Sequence, residues 1–543
     1  MKRPAPARAS PGRAKRHEVL LPLREATNFP WIAAATILIY LALRTGIGVT
    51  ISRRHSRPAA NNKMISSPLL PNLADTSPGA KFPVMNPATG ELLAELPDMG
   101  ETAAQRAVEA AAESLAVTPP LPERQMWLAG IVRALAEHRE ELARIITLEQ
   151  GKPLTESRVE VDYAAGFFRF FGEHLGTLES RTLAEKIRQC EWTVHHRPAG
   201  VAALISPWNF PLAQFSKKLS AALAAGCPVV LKPAELTPLS AIAFWTLLEK
   251  IGLPMQRLNL VMGRAAPIGK VFCEHPAVRV ISFTGSTEIG ALLARQAAPH
   301  IKRLALELGG NAPCLVFEDA EVEQAADALV ANKFRCAGQT CVCANRMLVH
   351  EDIHDRFVAS LAARMSRLKV GNGLDTDTDI GPLINRAAFE KVQAHVADAL
   401  GHGAQRMFGD EARTPANDWG CFFPPTLLTR MRDDMLAFRE ETFGPVVAVQ
   451  SFTTESEVIA AANGTPYGLA AYVFTGDAGR AQRCAERLHF GHVAINSGSG
   501  PTPEAPFGGM KTSGIGREGG AEGLAEFTEL QTVAVHQAPA SQA

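Results

Sequence analysis

Phe334 to Arg346 reads Phe-Arg-Cys-Ala-Gly-Gln-Thr-Cys-Val-Cys-Ala-Asn-Arg. Three of the chain's nine cysteines fall within these thirteen residues. A thiol in such a run is one of a redox pair, a metal ligand or a nucleophile. Structural zinc takes four ligands, usually from two Cys-rich pairs. No second Cys pair or His cluster stands at a spacing that completes the set, so no metal is expected. Read alone, the run leaves two readings open: a buried Cys behaving as a small hydrophobe, or an activated nucleophile.

Two further stretches bear on that choice. Leu304 to Pro313 reads Leu-Ala-Leu-Glu-Leu-Gly-Gly-Asn-Ala-Pro, a strand-like apolar run that carries one carboxylate, Glu307, and ends on two glycines. An ionised group there costs several kcal/mol unless it is paired or takes a raised pKa. That makes Glu307 a candidate general base. Ser206 to Pro211 reads Ser-Pro-Trp-Asn-Phe-Pro. Asn209 is an amide among rigid and aromatic neighbours, and an amide N–H suits a developing oxyanion.

Together these stretches resemble the aldehyde dehydrogenase superfamily, from about Phe82 to about Val535, with the motifs in family order. Asn86-Pro87-Ala88-Thr89-Gly90 resembles the family's opening turn. Within the superfamily, Lys333-Phe334-Arg335 and Gly338 to Cys343 look most like the NAD(P)-dependent succinate-semialdehyde dehydrogenases.

The 543 residues allow two to four domains. Net charge is zero, which argues against nucleic acid as a partner. An odd number of scattered cysteines suggests free thiols in a reducing compartment, hence a cytoplasmic protein. Charge is uneven: residues 1–63 hold twelve Lys and Arg against Glu18 and Glu25. Phe29 to Leu43 is uncharged and apolar. It falls short of the roughly 20 residues that span a bilayer, a length reached only by counting past Arg44 to Ile51. Two readings stay open. Residues 1–63 are an extension upstream of a chain that starts at Met64, or residues 29–51 anchor the enzyme to a membrane.

Beyond the extension, Glu101 to Leu115 and Met126 to Gln150 have helical periodicity, and a further helix covers about Glu156 to His174. Apolar runs at Val201 to Ile205, Pro228 to Leu231, Leu258 to Met262 and Val278 to Phe283 alternate with helices. That alternation predicts a parallel sheet covered by helices. The resemblance refines this α/β fold into three parts. A Rossmann-type cofactor domain takes residues 64–185 and 201–307. An α/β catalytic domain takes 308–511. A small β oligomerisation arm and tail take 186–200 and 512–543, with the Glu191 region joining a final strand at Phe527 to Val535. A homodimer or homotetramer follows from the resemblance alone.

Val278 to Phe283 runs into Thr284-Gly285-Ser286-Thr287-Glu288-Ile289-Gly290. Glycine at a strand-to-helix turn lets backbone N–H groups approach a pyrophosphate. The turn lacks the usual three-glycine fingerprint and resembles the family's Gly-Ser variant. The resemblance implies NAD contacts, with NADP possible, at Ile205, Ser206, Trp208 and Asn209, at Lys232 and Glu235, at Gly285 and Ser286, and at Leu308, Glu441 and Phe443. A carboxylate at Glu235 accepts from both ribose hydroxyls and repels a 2′-phosphate, which favours NAD.

The implied chemistry has two halves. The Cys341 thiolate attacks an aldehyde, and Asn209 with the Cys341 N–H stabilises the oxyanion. After hydride transfer, Glu307 activates the water that hydrolyses a thioester, which argues against CoA-acylating relatives. Lys218 and Glu518 match positions that assist proton movement. Arg303, Arg517 and Glu529 match an ion-pair cluster tying the C-terminal arm to the cofactor domain. For a substrate carboxylate, the family uses two arginines and a serine. Arg335 matches one arginine, Lys217 stands at the other, and Pro501-Thr502 lies near the serine position. Lysine is a point charge and recognises a planar carboxylate less well than arginine. Phe171 is the expected aromatic of the substrate tunnel. Cys343 is either a disulfide partner for Cys341 or a plain lining thiol. Two further expectations compete with a semialdehyde enzyme: a broad-specificity aliphatic or aromatic aldehyde dehydrogenase, and a non-catalytic scaffold on the same fold.

Overall fold

The computed structural model describes residues 65–70, 79–185, 187, 189–409 and 419–536. Residues 1–63, with both readings of the apolar stretch, lie outside the described residues. Among the described residues no helix is long and apolar enough to cross a membrane.

A six-stranded sheet is built from the alternating apolar runs. Val201–Ile205, Val229–Lys232 and Leu258–Leu260 step outward on one side, and Val278–Thr284 and Arg303–Glu307 on the other. All these pairings are parallel. In chain order the five strands lie 3-2-1-4-5, the order of a doubly wound mononucleotide-binding half. The order reverses between Val201–Ile205 and Val278–Thr284, and ligands bind at such a switch point. Val201–Ile205 is buried at every residue, as a parallel strand covered on both faces must be. Gly514–Ile515 adds an antiparallel sixth strand against Arg303–Glu307. The stretch from 512 therefore contributes to this sheet before it enters the arm, because Gly514 and Ile515 register on Glu307 and Leu306.

A second sheet holds seven strands from residues 312–495, six of them parallel, with Gln405–Phe408 antiparallel at one edge. A third sheet is small and antiparallel. Thr528–His536 pairs along its length with Cys190–Pro198, which also pairs with Arg181–Thr182. The arm strand thus begins its partnership before residue 186.

The apolar stretch Met126 to Gln150 is two helices rather than one, Leu121–Glu137 and Arg139–Gln150. His138 between them leaves helical geometry at φ −106° and ψ 20°. Periodicity carries through this break because both helices bury leucines and isoleucines in one core, on Leu128, Ile131, Leu142 and Ile145 among others.

The helix Ala213–Ala225 has every residue buried. Its N-terminus needs partners for free N–H groups, and Glu160 supplies one. Glu160 Oε1 accepts from the N–H of Leu212 (2.9 Å) and of Ala213 (3.1 Å). Its other oxygen takes Lys152 Nζ at 2.5 Å, and both side chains are fully buried. Lys152 also donates to the carbonyl of Asn209 (2.7 Å). This pair fixes where the Trp208-Asn209 turn meets the helix.

Glu160→Ala should therefore destabilise the protein by about 3–5 kcal/mol, because Lys152 would stay buried without a counter-charge. The double variant Lys152→Met/Glu160→Met should lose less than Glu160→Ala alone. Urea unfolding of the three proteins measures both.

Candidate active site

Cys341 lies where two cavities meet. A larger one, of about 560 Å³, is lined by Tyr163, Phe210, Gln214, Lys217, Glu307, Arg335 and Cys341, among others. A cleft of about 280 Å³ is lined by Trp208, Asn209, Gln214, Gly285, Ser286, Leu308, Cys341, Glu441 and Phe443, among others. Cys341 and Gln214 belong to both walls.

The Cys341 loop follows a tight left-handed turn. Cys336 (φ 52°), Ala337 (φ 55°) and Gly338 (φ 74°) are successive residues in that region. The two non-glycine residues each cost about 1–2 kcal/mol, so the surroundings must hold them. Glu156 accepts from the Cys336 N–H at 2.8 Å, and Gln150 donates to its sulfur at 3.2 Å. Gly338 is required on a second ground, since a Cβ there would stand 2.2 Å from the Gly444 carbonyl oxygen. Burial pushes the Glu156 carboxyl up to about 7.

Glu307 ends its strand beside Thr284. The Cys341 thiol donates to Glu307 Oε1 at 3.5 Å. Lys217 Nζ pairs with Glu307 Oε2 and, at 2.7 Å, with Glu518 Oε2. Lys218 Nζ pairs with the other oxygen of Glu518 and donates to Thr284 Oγ1 at 2.7 Å. Burial raises the Glu307 carboxyl, with Lys217 opposing in part. For Glu518 burial acts the same way, but two ammonium groups outweigh it and hold that carboxyl well below the usual range. Burial, then the nearby Glu307, pushes the Cys341 thiol well up. Asn209 donates its side-chain N–H to the Gln339 carbonyl at 2.9 Å, two residues before Cys341, and its Oδ1 has no partner among the described residues.

Of the residues expected at the cofactor, Trp208, Asn209, Gly285, Ser286, Leu308, Glu441 and Phe443 share the smaller cleft. Trp208 and Phe443 meet edge to face at 5.6 Å. Gly285 passes so close to Phe283 that a Cβ would stand 2.4 Å from its ring. Ser286 caps the helix Thr287–Ala297 by accepting from Ile289 N–H. Glu441 accepts from Gly310 N–H at 3.3 Å, and burial raises its carboxyl to about 7. Ile205 and Lys232 are register neighbours at the carboxyl ends of adjacent strands, outside the cleft's lining. Lys232 pairs with Glu235 at 3.1 Å. Ser206 is buried, and its hydroxyl has no partner among the described residues.

The substrate expectations fare unevenly. Arg335 lines the larger cavity, makes no ion pair among the described residues, and stacks over Phe210 at 5.5 Å. Lys217 lines the same cavity, but protein carboxylates already hold its ammonium. Thr502 is exposed and bonded to Glu504; its neighbours Gly500 and Pro501 line the cavity instead. Phe171 is corrected. On the helix Leu154–Glu173 the residues on the cavity are Thr155, Glu156, Val159, Glu160 and Tyr163, on one face at helical spacing. Phe171 lies two turns beyond Tyr163, fully buried against Phe170. Cys343 is a buried free thiol beside Lys333 Nζ (3.6 Å), and its S–H donates to the Gly338 carbonyl; no bridge to Cys341 is formed. The expected cluster around Glu529 is also different. Arg303 donates to the carbonyls of Ala525 and Thr528, Arg517 to those of Gly509 and Gly516, and Glu529 stands 3.9 Å from Arg279.

Sequence reasoning missed Lys152, Glu160, Tyr163, Phe210 and Gln214. Gln150-Gly151-Lys152-Pro153 did carry a signal, a turn with a charge between two apolar helices.

Residues 74–533 match the profile of the Aldehyde dehydrogenase family. The chain belongs to the aldehyde dehydrogenase family. It is 46% identical over 83% of its length to a non-phosphorylating aspartate-semialdehyde dehydrogenase of Halomonas elongata, covering 92% of that protein. It is 43% identical to the NADP(+) succinate-semialdehyde dehydrogenase of Escherichia coli, covering 85% and 95% of the two chains. Among solved structures, an oxidoreductase from Marinobacter aquaeolei superposes with a TM-score of 0.84 at 54% identity, covering 87% of this chain and all of that one.

As an aldehyde dehydrogenase, the protein oxidises aldehydes to carboxylic acids with NAD(P) as acceptor. The smaller cleft fits such a dinucleotide on its own terms. It has a capped helix N-terminus behind a glycine turn, aromatic walls, and buried polar atoms on Asn209 and Gln214 without partners among the described residues.

Cys341 and Cys190 are the cysteines of this aldehyde dehydrogenase that keep partial solvent exposure, the other seven being buried. Because the Cys341 thiol is raised, its alkylation by iodoacetamide should climb by about tenfold per pH unit from pH ~7 to ~9 without a plateau. Peptide mapping by mass spectrometry at each pH reads the rate.

Proposed function

We propose that this aldehyde dehydrogenase oxidises a short semialdehyde that carries a carboxylate, succinate semialdehyde among them. The observation that carries this reading is Arg335. It is a guanidinium in the cavity that holds Cys341, with no carboxylate partner among the described residues and its Nε unsatisfied. A planar fork of donors is suited to a carboxylate. Relatives named for aspartate, succinate and glutarate semialdehydes support the same class. A second reading, a broad-specificity aldehyde dehydrogenase, is favoured by the apolar walls Phe210, Phe334, Val159 and Val330.

In the proposed mechanism the Cys341 sulfur bonds to the aldehyde carbon. The Asn209 amide and the Cys341 backbone N–H share the oxyanion. Trp208, Glu441 and Phe443 would form the walls for NAD(P) and Gly285 with Ser286 its phosphate turn, and the cofactor would supply the hydride acceptor. Glu307 Oε1, facing the sulfur, then takes a proton from the water that attacks the thioester. The same reading gives Lys218 and Glu518, which pair beside Glu307, the role of assisting that proton's movement. Residues 64–185 and 201–307 would form the cofactor part and 308–511 the catalytic part. The strand Thr528–His536 has its outer edge free in the described chain and exposes Leu530 and Val535. An unpaired apolar edge supports a homo-oligomer closed through this arm.

Arg335→Ala should raise KM for succinate semialdehyde by about ten- to a hundredfold and leave KM for butanal within about threefold. Steady-state reduced-cofactor formation measures both, with Cys341→Ala as the inactive reference. Equal effects on the two aldehydes would favour the broad-specificity reading.

Glu235 places a carboxylate after the strand Val229–Lys232, where it would repel a 2′-phosphate. Catalytic efficiency should therefore be higher with NAD than with NADP, and Glu235→Ser should narrow the difference. Parallel assays with the two cofactors test this.

A further inference from the structure

We propose that Lys217 is a positioning residue that fixes Glu307 as an ionised base for hydrolysis of the acyl-enzyme, rather than a holder of the substrate's carboxylate. The inference rests on the reading of Glu307 as that base.

Lys217 projects from a helix with no exposed residue, and its ammonium stands between two carboxylates. It is the cation on Glu307 itself; the neighbouring Lys218 reaches Glu518 and Thr284 instead. Two consequences follow from one contact. Lys217 occupies Oε2, which leaves Oε1 turned to the Cys341 sulfur 3.5 Å away. A carboxyl buried at 2% exposure would otherwise keep its proton, and a protonated carboxyl cannot accept one from water. The ammonium supplies the missing counter-charge. It also favours the thiolate at Cys341.

Hydrolysis of the thioester depends on this contact. A water oxygen bonds to the thioester carbon and gives one proton to Glu307 Oε1. The carbon–sulfur bond breaks, the electron pair leaves on the Cys341 thiolate, and the acid departs. No electron acceptor is needed, since the hydride has already gone.

Every titratable group facing Glu307 can be placed. Lys217 and Lys218 come from the helix Ala213–Ala225, Tyr163 from Leu154–Glu173, Cys341 from its loop and Glu518 from the turn after Gly514–Ile515. Burial raises Tyr163 and Cys341, so both stay neutral through the acidic range. Glu518 is held low by the two lysines. The acidic limb of the hydrolytic step is therefore that of Glu307. Removing Lys217 leaves burial and the Glu518 charge opposed only by Lys218, raises Glu307 further and moves the limb to higher pH.

The test compares the full chain with Lys217→Met, Lys217→Arg and Glu307→Gln, using NAD and succinate semialdehyde. Lys217→Met should give a burst of about one reduced cofactor per site followed by turnover about tenfold or more below wild type, with the acidic limb of kcat higher by about one pH unit or more. Lys217→Arg should restore the limb and bring turnover within about threefold. Where the Met variant does not fold, Lys217→Gln, a neutral donor of similar length, takes its place. An unmoved limb, with KM raised for the carboxylate substrate but not for butanal, overturns the proposal and makes Lys217 a substrate ligand. Glu307→Gln that hydrolyses the acyl-enzyme at the wild-type rate is a different failure, that of Glu307 as the base.

Discussion

Four ionisable side chains inside a helix-and-sheet core set the terms for everything else. Lys217, Lys218, Glu307 and Glu518 are all nearly or fully buried. Each alone would cost several kcal/mol to desolvate, and two of each sign make the cluster affordable only as a set. The set draws on distant parts of the chain: two residues of one helix, the end of a central strand, and the turn after Gly514–Ile515. The C-terminal segment must therefore be home before the interior of the cofactor sheet is electrically balanced. The Lys152–Glu160 pair repeats the same economy one layer away, at the entry to the same helix.

Around that balance the parallel sheet places its chemistry by register alone. Lys232, Ile205, Phe283 and Leu306 are successive partners across four strands, and Thr284 with Glu307 follows one residue on. Every strand that points this way delivers its last residue to one edge. The turn after Val201–Ile205 carries Asn209, and the turn after Val278–Thr284 carries Gly285 and Ser286, on the two sides of the switch point. The second sheet brings Cys341 to the same place through a loop bent left-handed at three successive residues.

The local part of this was legible in the sequence. Cys341, Glu307, Asn209 and the Gly285-Ser286 turn sit in short runs that resemble family motifs only when taken together, and the strands around them alternate with helices at a regular spacing. What was not legible depends on partners far apart in the chain. Lys217 and Glu307 are separated by 90 residues, Lys218 and Glu518 by 300. Periodicity says which face of a helix is buried but not what covers it, so Phe171 and Tyr163 were indistinguishable as tunnel residues. The break at His138 left no mark because apolar spacing continues across it. Glu529 found Arg279 because the arm strand's register, not charge, decides where that residue lands.

Cys341 and Gln214 form part of the wall of both cavities. A room with two doors and one common partition lets each guest arrive and leave by its own side. On the proposed assignment of the aldehyde to the larger cavity and the dinucleotide to the cleft, neither has to pass through the other's chamber, and filling one does not bar the way into the other. A spent acid can depart while the second compartment is still full.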